Sequence, residues 1–367
     1  MLPAEANALF GTGSNELGLT ILRVRIDPGG SGNWGMELGS AQEAQTLGAI
    51  VIASPWTPPA SMKSNTLGDN GTWGGSLNLA SYGDYATYLE SFVTYMANGN
   101  VNLYAISMQN EPDFIPAAPG YESCSWTAAQ MDTWVASNSS VLTTKLMMPE
   151  SASFNFSQSD PTLNDSNAVG HVSIIAGHLY GATIQPYPNA VNDGKEVWET
   201  EHYLNPSGSQ PAIDDAIAAA LEVHNSMTVG QYNAYLWWWV ADWNPGGGVT
   251  NYGLVDTNNI PTYYGYALGQ FSKFIRPGYT RSNATANPNN GIYVSAYQGN
   301  GHFVIVAINQ GVTDVSQPFA IQNQTITSMT PYRTSATENL AELPAVVVTS
   351  NSFTYTLPAQ SITTFVQ

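Results

Sequence analysis

Short apolar runs alternate along the chain with stretches in which apolar residues recur at helical spacing. Seven runs predict strands, at 20–26, 49–54, 103–109, 145–149, 172–180, 196–200 and 234–240. Residues 82–97, 127–142 and 212–227 carry apolar positions at the spacing of a helix that is buried along one side. This alternation predicts a parallel β-sheet. Because most of the runs are apolar throughout, we expect both faces of the sheet to be covered.

Polar and aromatic residues collect where these predicted strands end. They stand at 54–56, 109–111, 178–180, 201–203 and 238–239. In a (β/α)8 TIM barrel the carboxyl ends of the strands form the active site. The sequence therefore predicts an α/β chain with a (β/α)8 catalytic barrel over residues 1–275.

Seven strands are recognisable where such a barrel has eight, and the shortfall falls at the beginning of the chain. The pattern predicts that the first strand is missing from this polypeptide or is supplied in an unusual way. An opened barrel exposes unpaired backbone groups at its edges. We therefore expect low thermal stability or self-association through the opened barrel.

The pattern changes from about residue 282 onward. Residues with strand propensity alternate between turns rich in Gly, Asn and Pro, and little helical spacing remains. This texture predicts a side antiparallel β domain, a β-sandwich over residues 276–367.

Charge and composition limit the classes of binding partner that we expect for this protein. Nine basic residues face 27 acidic ones, so the formal net charge is −18. Affinity for nucleic acid or for an anionic membrane surface depends on clustered Lys and Arg, so neither is an expected partner. Only 10% of the residues are charged and 11% are aromatic. This composition is typical of a surface that binds uncharged, hydroxylated ligands such as carbohydrates.

Cofactor motifs are weak in this sequence. The stretch GSGNWG at 30–35 fits the dinucleotide pattern, but Trp34 would crowd the pyrophosphate, and no acidic residue ends the next strand to hold a ribose. We interpret it as a loop. The five histidines form no HExxH motif, and Cys124 is the only cysteine. No cofactor and no metal are therefore expected, and His178 and His202 are interpreted as pocket walls.

A pair of glutamates forms the strongest chemical signal. Glu111 follows Asn110 at the end of one predicted strand, and Glu201 ends another. Cleavage of a glycosidic bond requires two carboxyl groups, one to protonate the leaving oxygen and one to act as base or nucleophile. Asn110 can donate a hydrogen bond to a sugar hydroxyl. Four aromatic residues at strand ends could stack on sugar rings: Trp56, Tyr180, Tyr203 and Trp238.

From about residue 8 to its C-terminus the chain resembles glycoside hydrolase family 30, in particular the bacterial glucuronoxylanase-like subfamily 8. The resemblance is carried by stretches such as MQNEPD, HLYG, VWETEHY, YLWWW and FIRPGYTR. It implies a retaining endo-β-1,4-xylanase that acts on xylan or xylo-oligosaccharides, with Glu111 as general acid/base and Glu201 as nucleophile. It also implies substrate contacts at Trp56, Asn110, Tyr180, Tyr203, Ser207, Trp238 and Trp239.

The resemblance further implies a secreted protein, although residues 1–13 lack the basic and apolar regions of a signal peptide. Two other functions stay open. One is a different family 30 activity, such as a β-1,6-glucanase, a β-1,6-galactanase or a β-xylosidase. The other is an inactive carbohydrate-binding protein.

Two departures from the family pattern matter. Relatives that require a glucuronic acid branch carry arginines where this chain has Ala241 and Asp242, so we expect no strict dependence on that branch. Glu199 is an extra acid at a position that is commonly apolar in relatives. It is expected to form an ion pair with Arg23 or Arg25, or alternatively to raise the proton affinity of nearby carboxyl groups.

Overall fold

Eight α-helices and eighteen strands are present in the computed structural model, which describes residues 1–64, 66–67, 70–117, 120–241 and 251–367. The helices are α1 Pro3–Phe10, α2 Gly35–Thr46, α3 Tyr82–Asn98, α4 Ala128–Asn138, α5 Asp160–Asn164, α6 Pro188–Asn192, α7 Ile213–Thr228 and α8 Tyr263–Ser272. The strands are β1 Ile21–Arg25, β2 Ile50–Ser54, β3 Lys63–Ser64, β4 Ser76–Leu77, β5 Leu103–Ser107, β6 Lys145–Ser151, β7 Val172–His178, β8 Glu196–His202, β9 Ala234–Trp237, β10 Thr280–Ser282, β11 Ile292–Gly299, β12 His302–Asn309, β13 Val315–Ala320, β14 Ser328–Ser335, β15 Glu338–Glu342, β16 Val346–Val347, β17 Ser352–Leu357 and β18 Ser361–Val366.

Contacts divide the chain into two units. The first contains Ile21–His202 and Gly230–Trp237, together with Met1. The second contains Leu2–Thr20, Tyr203–Val229 and Trp238–Gln367. The boundary at residue 275 between a barrel and a side domain stays a prediction.

A seven-stranded parallel sheet organises the first unit. Its strand order is β1-β2-β5-β6-β7-β8-β9, so each of these strands pairs with the next one along the chain. This is the order of a (β/α)8 barrel, and the predicted α/β barrel fold with separate antiparallel sheets is confirmed. Six of these strands contribute side chains to one buried apolar cluster: Ile52, Ala105, Met147, Ile174, Ala176, Trp198, Ala234 and Leu236.

The helices of this unit follow the apolar spacing of the sequence. In α3, Tyr85, Leu89, Phe92 and Met96 are fully buried, at intervals of three and four residues. In α4 the first turn is capped by Thr127, whose side chain accepts a hydrogen bond from the backbone of the residue three positions later.

The β6–β7 and β7–β8 pairings are each interrupted by a β-bulge near the carboxyl edge of the barrel sheet. Pro149 and Ser151 of β6 pair with consecutive residues of β7, so Glu150 is the extra residue. On β8, Glu199 and Glu201 pair with Gly177 and His178, which leaves Thr200 as the extra residue. Bulges redirect side chains and are frequent beside active sites.

Antiparallel sheets form the second unit. One sheet has the order β10-β11-β12-β18-β14-β15, and a second consists of β13 and β17. Apolar residues from both sheets share a single core, which includes Ile305, Phe319, Phe353 and Phe365. Helix α7 belongs to this unit and packs against α8 and strands β11, β12 and β18.

None of the described helices combines the length and the apolar character needed to cross a bilayer. The position of Asp242 lies outside the described residues.

Candidate active site

The guanidinium of Arg23, in the middle of β1, connects three parts of the candidate site. Its Nη1 donates to Oε2 of Glu201 at 2.6 Å, and its Nη2 donates to Oδ1 of Asn110 at 2.5 Å. Its Nε lies 3.1 Å from Oε1 of Glu150. The Arg23 side chain is almost fully buried, so this charge is stable only because it meets carboxylates and hydrogen-bond acceptors.

Glu111 lies beyond the end of β5 and is buried. Its Oε2 accepts a hydrogen bond from the Tyr121 hydroxyl at 2.6 Å, and its Oε1 lies 3.1 Å from Nδ1 of His178. Burial raises the pKa of this carboxyl, but His178, Tyr121 and Arg23 outweigh burial and bring the pKa below its ordinary value. The ionised form of Glu111 is therefore favoured in the free protein.

Glu201 is the penultimate residue of β8, and its Cα pairs with that of His178 across the sheet. Arg23 and the Tyr180 hydroxyl bind its two carboxylate oxygens, with the Tyr180 bond at 3.1 Å. Ligand atoms of Glu111, His178 and Glu201 all lie within 4.8 Å of one another. The two predicted carboxyl groups therefore share one buried place.

His178 is fully buried between these carboxylates. Burial lowers its pKa, but the charge of Glu201 and the contacts with Glu111 and Glu150 outweigh burial and raise the pKa to about 10. The imidazole is thus a cation at neutral pH. Its charge offsets the repulsion that two neighbouring carboxylates would otherwise suffer.

Glu150 brings a third carboxylate to this cluster. It is fully buried, and its Oε1 lies 3.9 Å from Nε2 of His178 as well as next to Arg23. Burial raises the pKa of Glu150, but the charges of Arg23 and His178 outweigh burial and hold the pKa at about 2.

The side chains of Glu111, His178 and Glu201 could by geometry alone hold a metal ion. Two cations already occupy that role, because Arg23 lies 2.6 Å from Glu201 and the raised pKa of His178 favours its protonated form. The arrangement therefore balances charge with protein groups, and we assign no metal to it.

Glu199 does not make the ion pair that the sequence suggested. Within the described chain Arg23 pairs with Glu150 and Glu201, while Arg25 pairs with Asp27 and Glu122. The Glu199 carboxylate accepts hydrogen bonds from the backbone N–H of Glu201 at 2.8 Å and of Leu236 at 2.9 Å. The bulge between β8 and β9 spans both donors, so the side chain satisfies backbone groups at an interruption of the ladder.

Three further predicted residues surround the cluster in the first unit. The Arg23 guanidinium carbon lies 4.6 Å from the ring centroid of Trp56. Asn110 is buried, with its carbonyl oxygen held by Arg23. Its amide nitrogen therefore points away from Arg23. Tyr180 binds Glu201 as described above.

The remaining predicted residues belong to the second unit. Tyr203 stacks on Tyr252 with ring centroids 4.3 Å apart. Ser207 donates from its backbone N–H to Asp215 at 2.9 Å. Trp238 and Trp239 are joined by a cis peptide bond and meet edge to face. Their roles in substrate binding stay predictions.

Sequence reasoning missed Glu150 and Tyr121 and gave Arg23 a different partner. Glu150 had a recognisable signal, since it also stands at the carboxyl end of an apolar run, in KLMMPES. Tyr121 lies in an irregular loop, where no periodic pattern distinguishes it. Arg23 lies in the middle of a strand rather than at its end.

A barrel of parallel strands with two close carboxyl groups at its carboxyl edge is the arrangement found in retaining glycoside hydrolases. Glucuronoxylanase XynC from Bacillus subtilis (strain 168) is 38% identical over 369 residues, which cover 99% of this chain and 84% of that protein. No family model matches the chain.

Solved structures agree with that relative. The family 30 subfamily 8 xylanase Xyn30A from Clostridium acetobutylicum matches with a TM-score of 0.90 and 44% identity, over 100% of this chain and 92% of that chain. A family 30 endoxylanase from Clostridium papyrosolvens C71 matches with a TM-score of 0.87 and 40% identity, over the same shares of the two chains. The protein belongs to glycoside hydrolase family 30.

Replacing Glu199 with Met is expected to destabilise the fold and to leave the pH optimum of activity unchanged. Two buried backbone donors would lose their acceptor, at about 1–3 kcal/mol each. Urea unfolding measures this loss. Glu90→Met is the matched control, because Glu90 also accepts a backbone N–H, from Thr143, at a solvent-exposed site where water can replace it. Unchanged stability together with a displaced pH optimum would instead support the alternative electrostatic role.

Proposed function

We propose that the protein is a retaining endo-β-1,4-xylanase in which Glu201 is the nucleophile and Glu111 is the general acid/base. The observation that carries this proposal is the pair of carboxyl groups whose oxygens approach within 4.8 Å. Retaining glycosidases hold their two carboxyl groups about 5–5.5 Å apart, whereas inverting enzymes separate them by about 6.5–9.5 Å to admit a water. The xylanase names of the relatives support xylan as the substrate.

In the first step a Glu201 oxygen attacks the anomeric carbon while protonated Glu111 gives its proton to the glycosidic oxygen. The bond to the leaving sugar breaks, and an ester forms between the sugar and Glu201. Arg23 and Tyr180 hold the attacking carboxylate at its two oxygens. Because these contacts exist before substrate binds, the nucleophile is already oriented.

In the second step ionised Glu111 removes a proton from water, and the water oxygen attacks the anomeric carbon. The ester bond breaks, and Glu201 leaves as a carboxylate. The lowered pKa of Glu111 favours this base form. The acid form needed for the first step becomes more abundant as the pH falls.

Sugar recognition is assigned to the residues around this pair. The amide nitrogen of Asn110 is proposed to donate to the 2-hydroxyl, since its carbonyl oxygen is occupied by Arg23. Trp56 and Tyr180 are proposed as walls of the central sugar position. Family resemblance alone supports Tyr203, Ser207, Trp238 and Trp239 as further contacts.

Xylan is a large polymer, which favours action outside the cell, so we propose that the protein is secreted.

We further propose that the enzyme does not depend on glucuronic acid branches. Recognition of a uronate carboxylate is best performed by an arginine with free donors. In the described part of the first unit both arginines are already paired with carboxylates. Ala241 and Asp242 stand where branch-dependent relatives carry arginine, and Asp242 would repel a uronate.

Azide tests the two catalytic roles. Glu111→Ala and Glu201→Ala are each expected to lose at least about 10²–10⁴-fold in kcat on xylan, because each removes a group that acts on the reacting bonds. With an activated aryl xyloside, azide should yield β-xylosyl azide with Glu111→Ala and α-xylosyl azide with Glu201→Ala. Glu196→Gln, on the same strand as Glu201, is the control and should keep its activity. The same azide anomer from both variants would refute the assignment.

Branch dependence is tested by comparing kcat/KM on glucuronoxylan and on linear, unsubstituted xylan. The two values are expected to agree within about threefold, because no charge-assisted hydrogen bond to the uronate is expected. One such bond, at about 1.5 kcal/mol or more, would give a preference of roughly tenfold or more. Asp242→Arg is the matched variant and should shift preference toward glucuronoxylan. A strong preference of the unaltered enzyme for the acidic polymer would disprove this part of the proposal.

A further inference from the structure

Glu150 is a buried carboxylate for which the two-step reaction has no direct use. It is the bulged residue of β6, with a φ of 55°, in the left-handed region that non-glycine residues rarely adopt. Its carbonyl oxygen accepts the backbone N–H of Glu111 at 3.0 Å, and Glu111 itself has a φ of 45°. Rare backbone conformations persist where surrounding structure enforces them, and they concentrate at functional sites.

Neither carboxylate oxygen of Glu150 has a well-aligned hydrogen bond within the described part of the chain. The carboxylate is stabilised instead by two cations, Arg23 Nε at 3.1 Å and His178 Nε2 at 3.9 Å. A fully buried carboxylate that depends mainly on ion pairs is a costly arrangement, because desolvation opposes it. An apolar residue would fill this place at a lower cost in free energy. The presence of a charge here therefore calls for a functional explanation.

Each of these two cations also contacts a candidate catalytic carboxylate through another of its nitrogen atoms. Arg23 Nη1 binds Glu201 at 2.6 Å, and His178 Nδ1 lies 3.1 Å from Glu111. Glu150 therefore reaches both members of the catalytic pair through one intervening cation each.

We propose that Glu150 is a positioning residue whose carboxylate holds Arg23 against Glu201 and the His178 imidazolium against Glu111. This rests on the catalytic roles proposed above. In the first step Glu111 is neutral as the acid, and in the covalent intermediate Glu201 is neutral as an ester. In both states the charges of Arg23 and His178 meet one catalytic carboxylate and Glu150, so the cluster is neutral in each of these two states.

Without Glu150 the cluster would carry an excess positive charge in both states, and each cation would lose its contact with the Glu150 carboxylate. The charged and titratable groups that face His178 come from several strands. They are Arg23 of β1, Glu111 after β5, Glu150 of β6, Tyr180 after β7 and Glu201 of β8. Glu150 is the anion among them that takes no part in bond making.

The test compares Glu150→Gln, which has the same shape without the charge, with the unaltered enzyme. The imidazole resonances of His178 are followed by NMR across a pH titration, with assignment from a His178→Gln sample. Initial rates on linear xylan give kcat and KM. Glu196→Gln is the matched control, because Glu196 also pairs with a cation, Lys145 at 3.0 Å, at a partly exposed site.

In the Gln variant the titration midpoint of His178 is expected to fall by about 1–3 pH units, the effect of removing one opposite charge at this range. The value of kcat should fall at least about tenfold while KM changes by less than about threefold, because positioning acts on the reacting groups rather than on binding. Glu150→Asp retains the charge at a greater distance and should recover part of both losses. Glu196→Gln should match the unaltered enzyme.

An unchanged His178 midpoint, or an unchanged kcat in folded Glu150→Gln, would overturn the proposal even if the melting temperature fell. If the Gln variant does not fold, Glu150→Asp decides, and a midpoint and kcat equal to those of the unaltered enzyme overturn the proposal. Failure of the proposed function is distinguishable, because the unaltered enzyme would then release no reducing ends from xylan while the His178 titration still reports on Glu150.

Discussion

The candidate site depends on the balance between two buried cations and three buried carboxylates. Arg23 and His178 stand between Glu111, Glu150 and Glu201, and all five side chains are nearly or fully removed from solvent. Three carboxylates gathered in this space would otherwise take up protons, because like charges in a low-dielectric place cannot all ionise. The cations allow Glu111 and Glu201, the proposed catalytic pair, to remain close together.

The barrel supplies the positions for this balance. Each of the five groups comes from a different strand or from the segment that follows it, so no single element could assemble the site. The two bulges on β6 and β8 adjust the strands where Glu150 and Glu201 are carried. Glu199 then closes the interruption between β8 and β9 by binding the backbone N–H of Glu201 itself. Glu199 thus has a structural explanation at the backbone level.

The sequence allowed much of the fold to be predicted, because short apolar runs and helical spacing report burial directly. The seven predicted runs correspond to the seven strands of the parallel sheet, within a few residues at their ends. Glu111 and Glu201 could be singled out because both are acids at strand ends. Glu150 carries the same strand-end signal, but its proposed positioning role could not be predicted, since a bulge and a left-handed backbone leave no periodic trace. The partners of Glu199 could not be predicted either. Strand alternation suggests a facing arginine, whereas the Glu199 side chain binds backbone N–H groups.

In the proposed mechanism the two close carboxyl groups act by forming and breaking a bond to the sugar. Proton NMR of the first product released from a linear xylo-oligosaccharide measures this directly, before mutarotation mixes the anomers. The new reducing end should appear as the β anomer and convert to the α anomer only later. A product that appears first as the α anomer would contradict the covalent route and require a water between Glu111 and Glu201.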